Sequence, residues 1–276
     1  MNISAFIKRH PVLTYFVLAF AISWGGSFAV LGSKFLQSEA YRTSDTILAL
    51  LAMLLGPSLS GLILTSAVDG KIGLQSLFSR MRRWQVGYRW YIVALLTFPV
   101  LILVVLIALS RIASLEFTPS FMKLGIIYGL LAGFIEEIGW TGYAYPKMRL
   151  KYSAFIASLI LGVLHGVWHV VADYLGSSKT LGSYWLPHFL LMWCFAMVAL
   201  RVIIVWIYEN TKSVLLAQLA HASSTGFLIV LSPSPITPAI ETFWYGVYGL
   251  VLWALAAVII VKNKPLFFHS SKKGEA

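Results

Sequence analysis

Eight long apolar runs, separated by short polar loops, constrain this chain more strongly than any other feature of its sequence. The runs cover residues 11–31, 46–68, 90–112, 121–143, 153–172, 186–208, 213–231 and 242–261. Each has roughly the 20 residues that a helix needs to cross the hydrocarbon core of a bilayer. Charged residues make up only 11% of the chain, against about 25% in a soluble domain. The sequence therefore predicts an all-α, polytopic integral membrane helical bundle of about eight transmembrane helices, with residues 1–276 forming a single membrane domain.

Positive charge is distributed unequally between the two sets of loops. With a cytoplasmic N-terminus, fifteen basic residues lie inside, namely Lys8, Arg9, Lys71, Arg80, Arg82, Arg83, Arg89, Lys147, Arg149, Lys151, Lys212, Lys262, Lys264, Lys272 and Lys273. Five lie outside, namely Lys34, Arg42, Arg111, Lys123 and Lys179. Because cytoplasmic loops are enriched in Lys and Arg, both termini are predicted to be cytoplasmic. The net charge of +11 then reflects orientation in a bilayer, and no nucleic-acid partner is expected.

Residues 71–89 form a segment of a different kind. Apolar residues recur there at helical spacing, and three arginines lie among them; the apolar residues are Leu74, Leu77, Phe78 and Met81, and the arginines are Arg80, Arg82 and Arg83. This pattern predicts a basic amphipathic helix on the cytoplasmic surface. The alternative interpretation is a plain solvated loop.

A small set of ionisable and polar residues lies inside the apolar runs. They are Glu136 and Glu137 in the fourth run, His165 and His169 in the fifth, Arg201 in the sixth, and Gln218, His221, Ser224 and Thr225 in the seventh. Charge at membrane depth is costly, so each such residue is a candidate for function. Glu136 and His221 each lie about ten residues from a basic loop, or about 15 Å at the helical rise. Three helices can therefore direct carboxylates and imidazoles into one cavity.

This set of groups suffices to hydrolyse a peptide bond without a serine or cysteine nucleophile. A carboxylate in a low-dielectric pocket can exchange a proton with water near neutral pH and act as a general base. Histidines can then hold the water, stabilise an oxyanion or protonate a leaving amine. Three alternatives remain open from the residues alone: a structural role in packing, a proton or ion relay in a transporter, and a zinc site. The zinc interpretation lacks the His-Glu-x-x-His spacing of many zinc peptidases.

Three strings among these residues resemble the motifs of a known family. The first, EEIGWTGYAYP, begins at Glu136; the second, LHGVWH, ends at His169; the third, LAQLAHASST, contains His221. In order and spacing they resemble the CAAX protease and bacteriocin-processing family, the type II CAAX endopeptidase group. The resemblance is strongest over about residues 125–231.

The resemblance implies an intramembrane, glutamate-dependent endopeptidase of eight helices. Glu136 would activate water with support from Glu137, and His169 and His221 would complete the site, with His165 as the alternative to His169. The substrate would be a membrane-associated peptide or protein, prenylated and of the CAAX type or related to bacteriocins. No cofactor is implied, although zinc is not excluded. A non-catalytic immunity or scaffold protein in a prokaryotic plasma membrane is the alternative.

Two positions depart from the family pattern, and a third residue offers compensation. Thr141 stands where many relatives have arginine, and Thr225 where many have asparagine. Arg201 lies eleven residues before Lys212, at about the depth of Glu137. We therefore expect Arg201 to supply the missing cation from a neighbouring helix. It would hold Glu137 ionised and leave Glu136 free to exchange its proton. The alternative is that Arg201 extends toward the cytoplasmic interface.

Overall fold

A computed structural model describes residues 3–32 and 43–269, and these residues form helices and connecting loops without any β-strand. The helices are α1 (Ile3–Arg9), α2 (Pro11–Leu31), α3 (Thr43–Met81), α4 (Tyr88–Ile112), α5 (Leu124–Gly139), α6 (Tyr145–Arg149), α7 (Ala154–Trp168), α8 (Val170–Leu181), α9 (Trp185–Phe189), α10 (Met197–Thr211), α11 (Val214–Val230), α12 (Pro238–Lys262) and α13 (Lys264–Phe268). Two π-helical turns, Trp140–Ala144 and Leu190–Ala196, join α5 to α6 and α9 to α10.

The described helices confirm a polytopic membrane bundle. Six helical stretches are long and apolar enough to cross a bilayer, and α7 and α11 are shorter apolar helices. Seven of the eight predicted apolar runs fall mainly on one of these elements each, and the fifth extends from α7 into the start of α8. Large apolar side chains such as Ile63, Val104 and Leu250 are at least half exposed on the outside of the bundle. Such a surface suits lipid rather than water, and the chain is an integral multi-pass membrane protein.

Helix starts near the loops are defined by local sequence. The side chain of Ser153 accepts a hydrogen bond from the Ile156 amide at the start of α7, and Ser213 accepts one from Leu216 at the start of α11. Thr237 caps α12, whose first residue is a proline. These are the residue types that satisfy free amides at helix N-termini. They fix where the chain leaves each loop and enters the bundle.

Helix α3 differs from its predicted boundary, because it continues past residue 68 to Met81. It changes direction at Gly70, where φ is 65°, a conformation that side chains with a Cβ rarely adopt. The predicted amphipathic segment 71–89 is therefore helical only as far as Met81, while residues 82–87 are not helical. Arg80 anchors this part of α3 by donating to the Gly142 carbonyl at 2.8 Å and to the Tyr208 hydroxyl at 2.9 Å. Its location at a membrane surface stays a prediction.

The fifth apolar run also has a different course from the predicted one. Helix α7 ends at Trp168, and a second helix, α8, continues beyond the predicted boundary at Ala172 as far as Leu181. The indole of Trp24 donates to the Trp168 carbonyl at 2.9 Å, which satisfies an acceptor at the end of α7. Asp173 lies in the first turn of α8, where it is buried and accepts a hydrogen bond from the Trp185 indole. This polar residue is therefore accommodated inside the bundle as the chain continues along α8.

Glycines on one face of α5 bring α11 unusually close. Gly125, Gly129 and Gly133 recur every four residues, and all three lie against α11. A Cβ added at Gly129 would lie 2.6 Å from the Gly226 Cα, and one at Gly133 would lie 2.6 Å from the Ala222 nitrogen. Small residues at this spacing allow close helix packing in membranes. The contact fixes the depth of α5 relative to α11, and so the positions of the polar residues that both helices carry.

We expect Gly129→Leu to disrupt this packing and to destabilise the fold by about 3 kcal/mol or more, because backbone atoms cannot move aside as flexible side chains do. The matched control is Gly25→Leu in α2, since a Cβ at Gly25 would meet no atom within 4 Å. The measurement is the monodisperse yield and melting temperature of each detergent-purified variant. A wild-type melting temperature for Gly129→Leu would contradict the close approach of α5 and α11.

Candidate active site

Two adjacent carboxylates lie at the centre of the site, at the end of α5. Glu136 and Glu137 are both essentially inaccessible, with 1% and 0% of their surface exposed. Immediately after them the chain enters the π-helical turn Trp140–Ala144. Turns of this kind are rare and occur often at functional sites. Because neighbouring helical residues point about 100° apart, the two carboxylates meet different partners.

Glu137 is surrounded by hydrogen-bond donors. Arg201 contacts both of its carboxylate oxygens, with NH1 at 3.0 Å from Oε2 and NH2 at 2.9 Å from Oε1. The Thr141 hydroxyl donates to Oε2 in a short hydrogen bond, and His221 Nδ1 lies 2.8 Å from Oε1. The pairing of Arg201 with Glu137 predicted from sequence is confirmed. Since an ionised carboxylate only accepts, His221 carries its proton on Nδ1 and its Nε2 remains available.

Glu136 has other partners, and both contact the same oxygen. Its Oε2 lies 2.9 Å from His165 Nε2 and 3.2 Å from the indole nitrogen of Trp140. Trp140 was not identified from the sequence. It follows Glu136 by four residues and so shares its helix face, the same relation that links Glu137 to Thr141. Applied to both glutamates, that rule identifies Trp140.

Arg201 also determines the proton position on His165. Its NH2 group lies 2.7 Å from His165 Nδ1. A guanidinium can only donate, so Nδ1 must accept and the ring proton of neutral His165 resides on Nε2. Nε2–H then donates to Glu136. One arginine therefore connects the two carboxylates, binding Glu137 directly and orienting the donor to Glu136 through His165.

The structure places His165, rather than His169, against Glu136. His169 lies farther out, with its ring 5.2 Å from that of His165, and it stacks face to face on Trp193 at 3.6 Å. Its Nε2 atom is buried and has no hydrogen-bond partner among the described residues. Thr225 lies on the wall of a separate cavity. Of the residues identified from sequence, Glu136, Glu137, Thr141, His165, Arg201 and His221 form one cluster.

Three ligand-type atoms in this cluster are close enough to be considered for a metal ion. Glu136, His165 and His221 each offer one, and all three atoms lie within 4.8 Å of one another. The donation from Arg201 limits this possibility, because it places a proton on His165 Nε2, the atom that faces Glu136. A protonated ring nitrogen has no lone pair for a metal. In this arrangement the residues fit a hydrogen-bonded carboxylate better than a three-ligand metal centre.

Comparisons with known proteins identify similar proteins over the part of the chain that carries this cluster. Residues 118–227 match the family described as type II CAAX prenyl endopeptidase Rce1-like. The chain is also 31% identical over 166 residues to CAAX prenyl protease 2 of Methanococcus maripaludis, an alignment that covers 56% of this chain and 54% of that protein. The chain thus spans about half the length of the curated relative it matches. The resemblance predicted from the three motifs is confirmed, and all six residues of the cluster lie within the matched region.

Proposed function

We propose that this protein is an intramembrane endopeptidase that uses Glu136 to activate water. The observation that carries the proposal is the unlike environment of two adjacent buried carboxylates. Glu137 is held by Arg201, Thr141 and His221, whereas both hydrogen bonds that the described residues make to Glu136 go to Oε2. Oε1 of Glu136 is thus the oxygen that can bind a water molecule. A carboxylate positioned in this way is suited to general-base catalysis.

Each residue of the cluster has a role in this reaction. Glu136 Oε1 takes a proton from water, and the water oxygen bonds to the scissile carbonyl carbon. As the carbon–nitrogen bond breaks, the proton passes from Glu136 to the leaving amine. His165 and Trp140 orient Glu136 by donating to its other oxygen.

His221 acts on the other side of the reaction. When both ring nitrogens carry a proton, Nδ1–H donates to Glu137 and Nε2–H can donate to the oxyanion of the tetrahedral intermediate. Arg201 and Thr141 position Glu137 for this task. His165 takes the part that the sequence motif favoured for His169.

The comparisons support a proposal for the substrate class. The relative named above is a CAAX prenyl protease, so we propose a membrane-associated peptide or protein as substrate, of the prenylated CAAX type or related to bacteriocins, cleaved within the plasma membrane of a prokaryote. The matches favour neither a transporter nor a non-catalytic immunity or scaffold protein. The test is cleavage of a membrane-peptide library by the purified, reconstituted protein, compared with Glu136→Ala.

We expect catalysis to be independent of metal. Activity should survive prolonged treatment with a strong chelator, because the proton on His165 Nε2 leaves only Glu136 and His221 as potential ligands in the cluster. The measurement is the cleavage rate before and after chelation, together with the metal content of the purified protein. Loss of activity on chelation, with recovery on adding Zn²⁺, would assign water activation to a metal instead.

A further inference from the structure

An apolar cavity of about 190 Å³ lies between the second π-helical turn and helices α10, α11 and α12. Met197, Leu200 and Leu252 provide much of its wall. An apolar cavity of roughly 150 Å³ is large enough to bind benzene. This cavity can therefore hold one large apolar side chain, such as that of phenylalanine or leucine.

Two buried hydroxyl groups line the same cavity beside each other. They are Ser224 Oγ and Tyr248 Oη, on residues that are each 1% exposed; they are close enough to interact with each other, and neither makes a hydrogen bond with any other described residue. Two hydroxyls that bond only to each other still leave one O–H and further acceptor positions unused, and unused buried polar groups are unfavourable. A purely apolar occupant would not satisfy these groups. A peptide would, because its side chain could fill the cavity while its backbone carbonyl and amide groups reach the hydroxyls.

The cavity adjoins the proposed catalytic cluster through α11. Ser224 and Thr225 follow His221 by three and four residues, so they lie on nearly the same face of that helix, one turn farther along. Both residues line the cavity. A peptide whose scissile bond lies at His221 therefore has a neighbouring residue within reach of the cavity.

The wall between the cavity and the cluster is held in a fixed position. Trp193 lines the cavity and stacks on His169 at 3.6 Å, while its indole nitrogen donates to Asp173 at 2.8 Å. The second oxygen of Asp173 accepts from Trp185, also at 2.8 Å. Because the ring is fixed both by stacking and by a hydrogen bond, the cavity has a defined size. A wall of fixed position can discriminate between side chains of different volume.

We propose that this cavity is a specificity subsite that binds one large apolar side chain of the substrate beside the scissile bond, with Ser224 and Tyr248 hydrogen-bonded to the substrate backbone. The inference rests on the proposed peptidase function and extends it by naming what the enzyme selects. It also gives His169 a role, since its ring positions Trp193 at the boundary of the subsite.

The test changes the volume of the cavity in both directions. Leu228→Trp fills it and Leu252→Ala enlarges it; both residues line the cavity, and neither belongs to the catalytic cluster. The matched control is Leu175→Trp, which makes the same substitution in a separate cavity of about 60 Å³ that Ser27 and Met53 also line. Each variant is reconstituted and supplied with membrane peptides that differ only in one residue, Ala, Leu, Phe or Trp, scanned across the cleavage region.

We expect Leu228→Trp to lower the ratio of kcat/KM for Phe over Ala peptides by about tenfold or more at one scanned position, the range seen for small changes in apolar pockets. Leu252→Ala should shift preference at that same position toward Trp, and Leu175→Trp should change neither. An unaltered preference in both cavity variants, or an equal loss for all peptides, would overturn the subsite. Dissociation constants of the same peptides for each variant, measured in a Glu136→Gln background, report on the subsite even if the wild type cleaves none of them. A wild-type protein that cleaves none of the peptides would count against the peptidase function and not against the subsite.

Discussion

Replacing Glu136 with glutamine should lower turnover by about 10²–10⁴-fold while substrate affinity stays close to that of the wild type. Glutamine keeps the shape of the side chain and can still accept from His165 and Trp140 through its carbonyl oxygen, but it cannot take a proton from water. The measurement is single-turnover cleavage of a reconstituted peptide, with peptide affinity determined separately. A loss of cleavage rate without a loss of peptide affinity identifies a group that acts in the transition state.

The matched control for this substitution is Glu241→Gln. Glu241 is a partly buried glutamate of α12 that lies 3.8 Å from the His188 ring nitrogen, and it takes no part in the contacts of the cluster. The Glu241→Gln variant should retain wild-type turnover. A Glu136→Gln protein that cleaves at the wild-type rate, or one that loses proton-coupled transport rather than cleavage, would refute the general-base role.

Replacing Arg201 with leucine should destabilise the fold by about 3–5 kcal/mol, the cost of leaving one member of a buried ion pair without the other. Arg201 and Glu137 are both fully buried. The destabilisation comes from the unpaired Glu137 carboxylate, so Arg201→Leu combined with Glu137→Gln should recover most of the stability. Activity should not return, because the double variant lacks the carboxylate that holds His221.

Moving the cation from position 201 to position 141 gives a sharper test of the requirement for positive charge beside Glu137. Thr141 lies 3.4 Å from the Arg201 guanidinium and one helical turn after Glu137. An arginine introduced there, in Thr141→Arg combined with Arg201→Leu, can reach Glu137 from its own helix. We expect this variant to fold and to regain part of the activity, as measured by melting temperature and by cleavage rate. Wild-type stability of Arg201→Leu alone would contradict the requirement for a buried cation.

The arrangement of helices and much of the site could be predicted from one sequence because membranes impose strong constraints. Apolar length predicts which segments span the bilayer, and the few charged residues inside them have to meet one another. Arg201 and Glu137 share a depth, and this was enough to predict their contact. The four-residue spacing between Glu137 and Thr141 likewise places the two side chains on one helix face, where they bond.

Other features could not be predicted from the sequence because they depend on breaks in the regular helices. His165 and His169 appear equivalent on an ideal helix, yet α7 ends at Trp168, so His169 lies beyond the last regular turn and contacts Trp193 instead. Helix α3 continues past Gly70 and brings Arg80 into contact with a carbonyl of the π-helical turn. Neither the helix break nor the turn has a distinctive pattern of residue types, and the cavity exists only where four separate segments meet.

The π-helical turn at Trp140–Ala144 makes chain length itself a requirement of the site. Such a turn is equivalent to one residue inserted into an α-helix, and one residue corresponds to about 100° of rotation. Glu136 and Glu137 precede the turn, whereas Tyr145 and Arg149, which follow it, both bond to Glu209 of α10. A homologue with a one-residue deletion here could keep every residue of the cluster and still be unable to satisfy both sets of contacts at once. Alignments across this region should therefore be judged by the number of residues between the glutamates and Glu209's partners, as well as by the residues themselves.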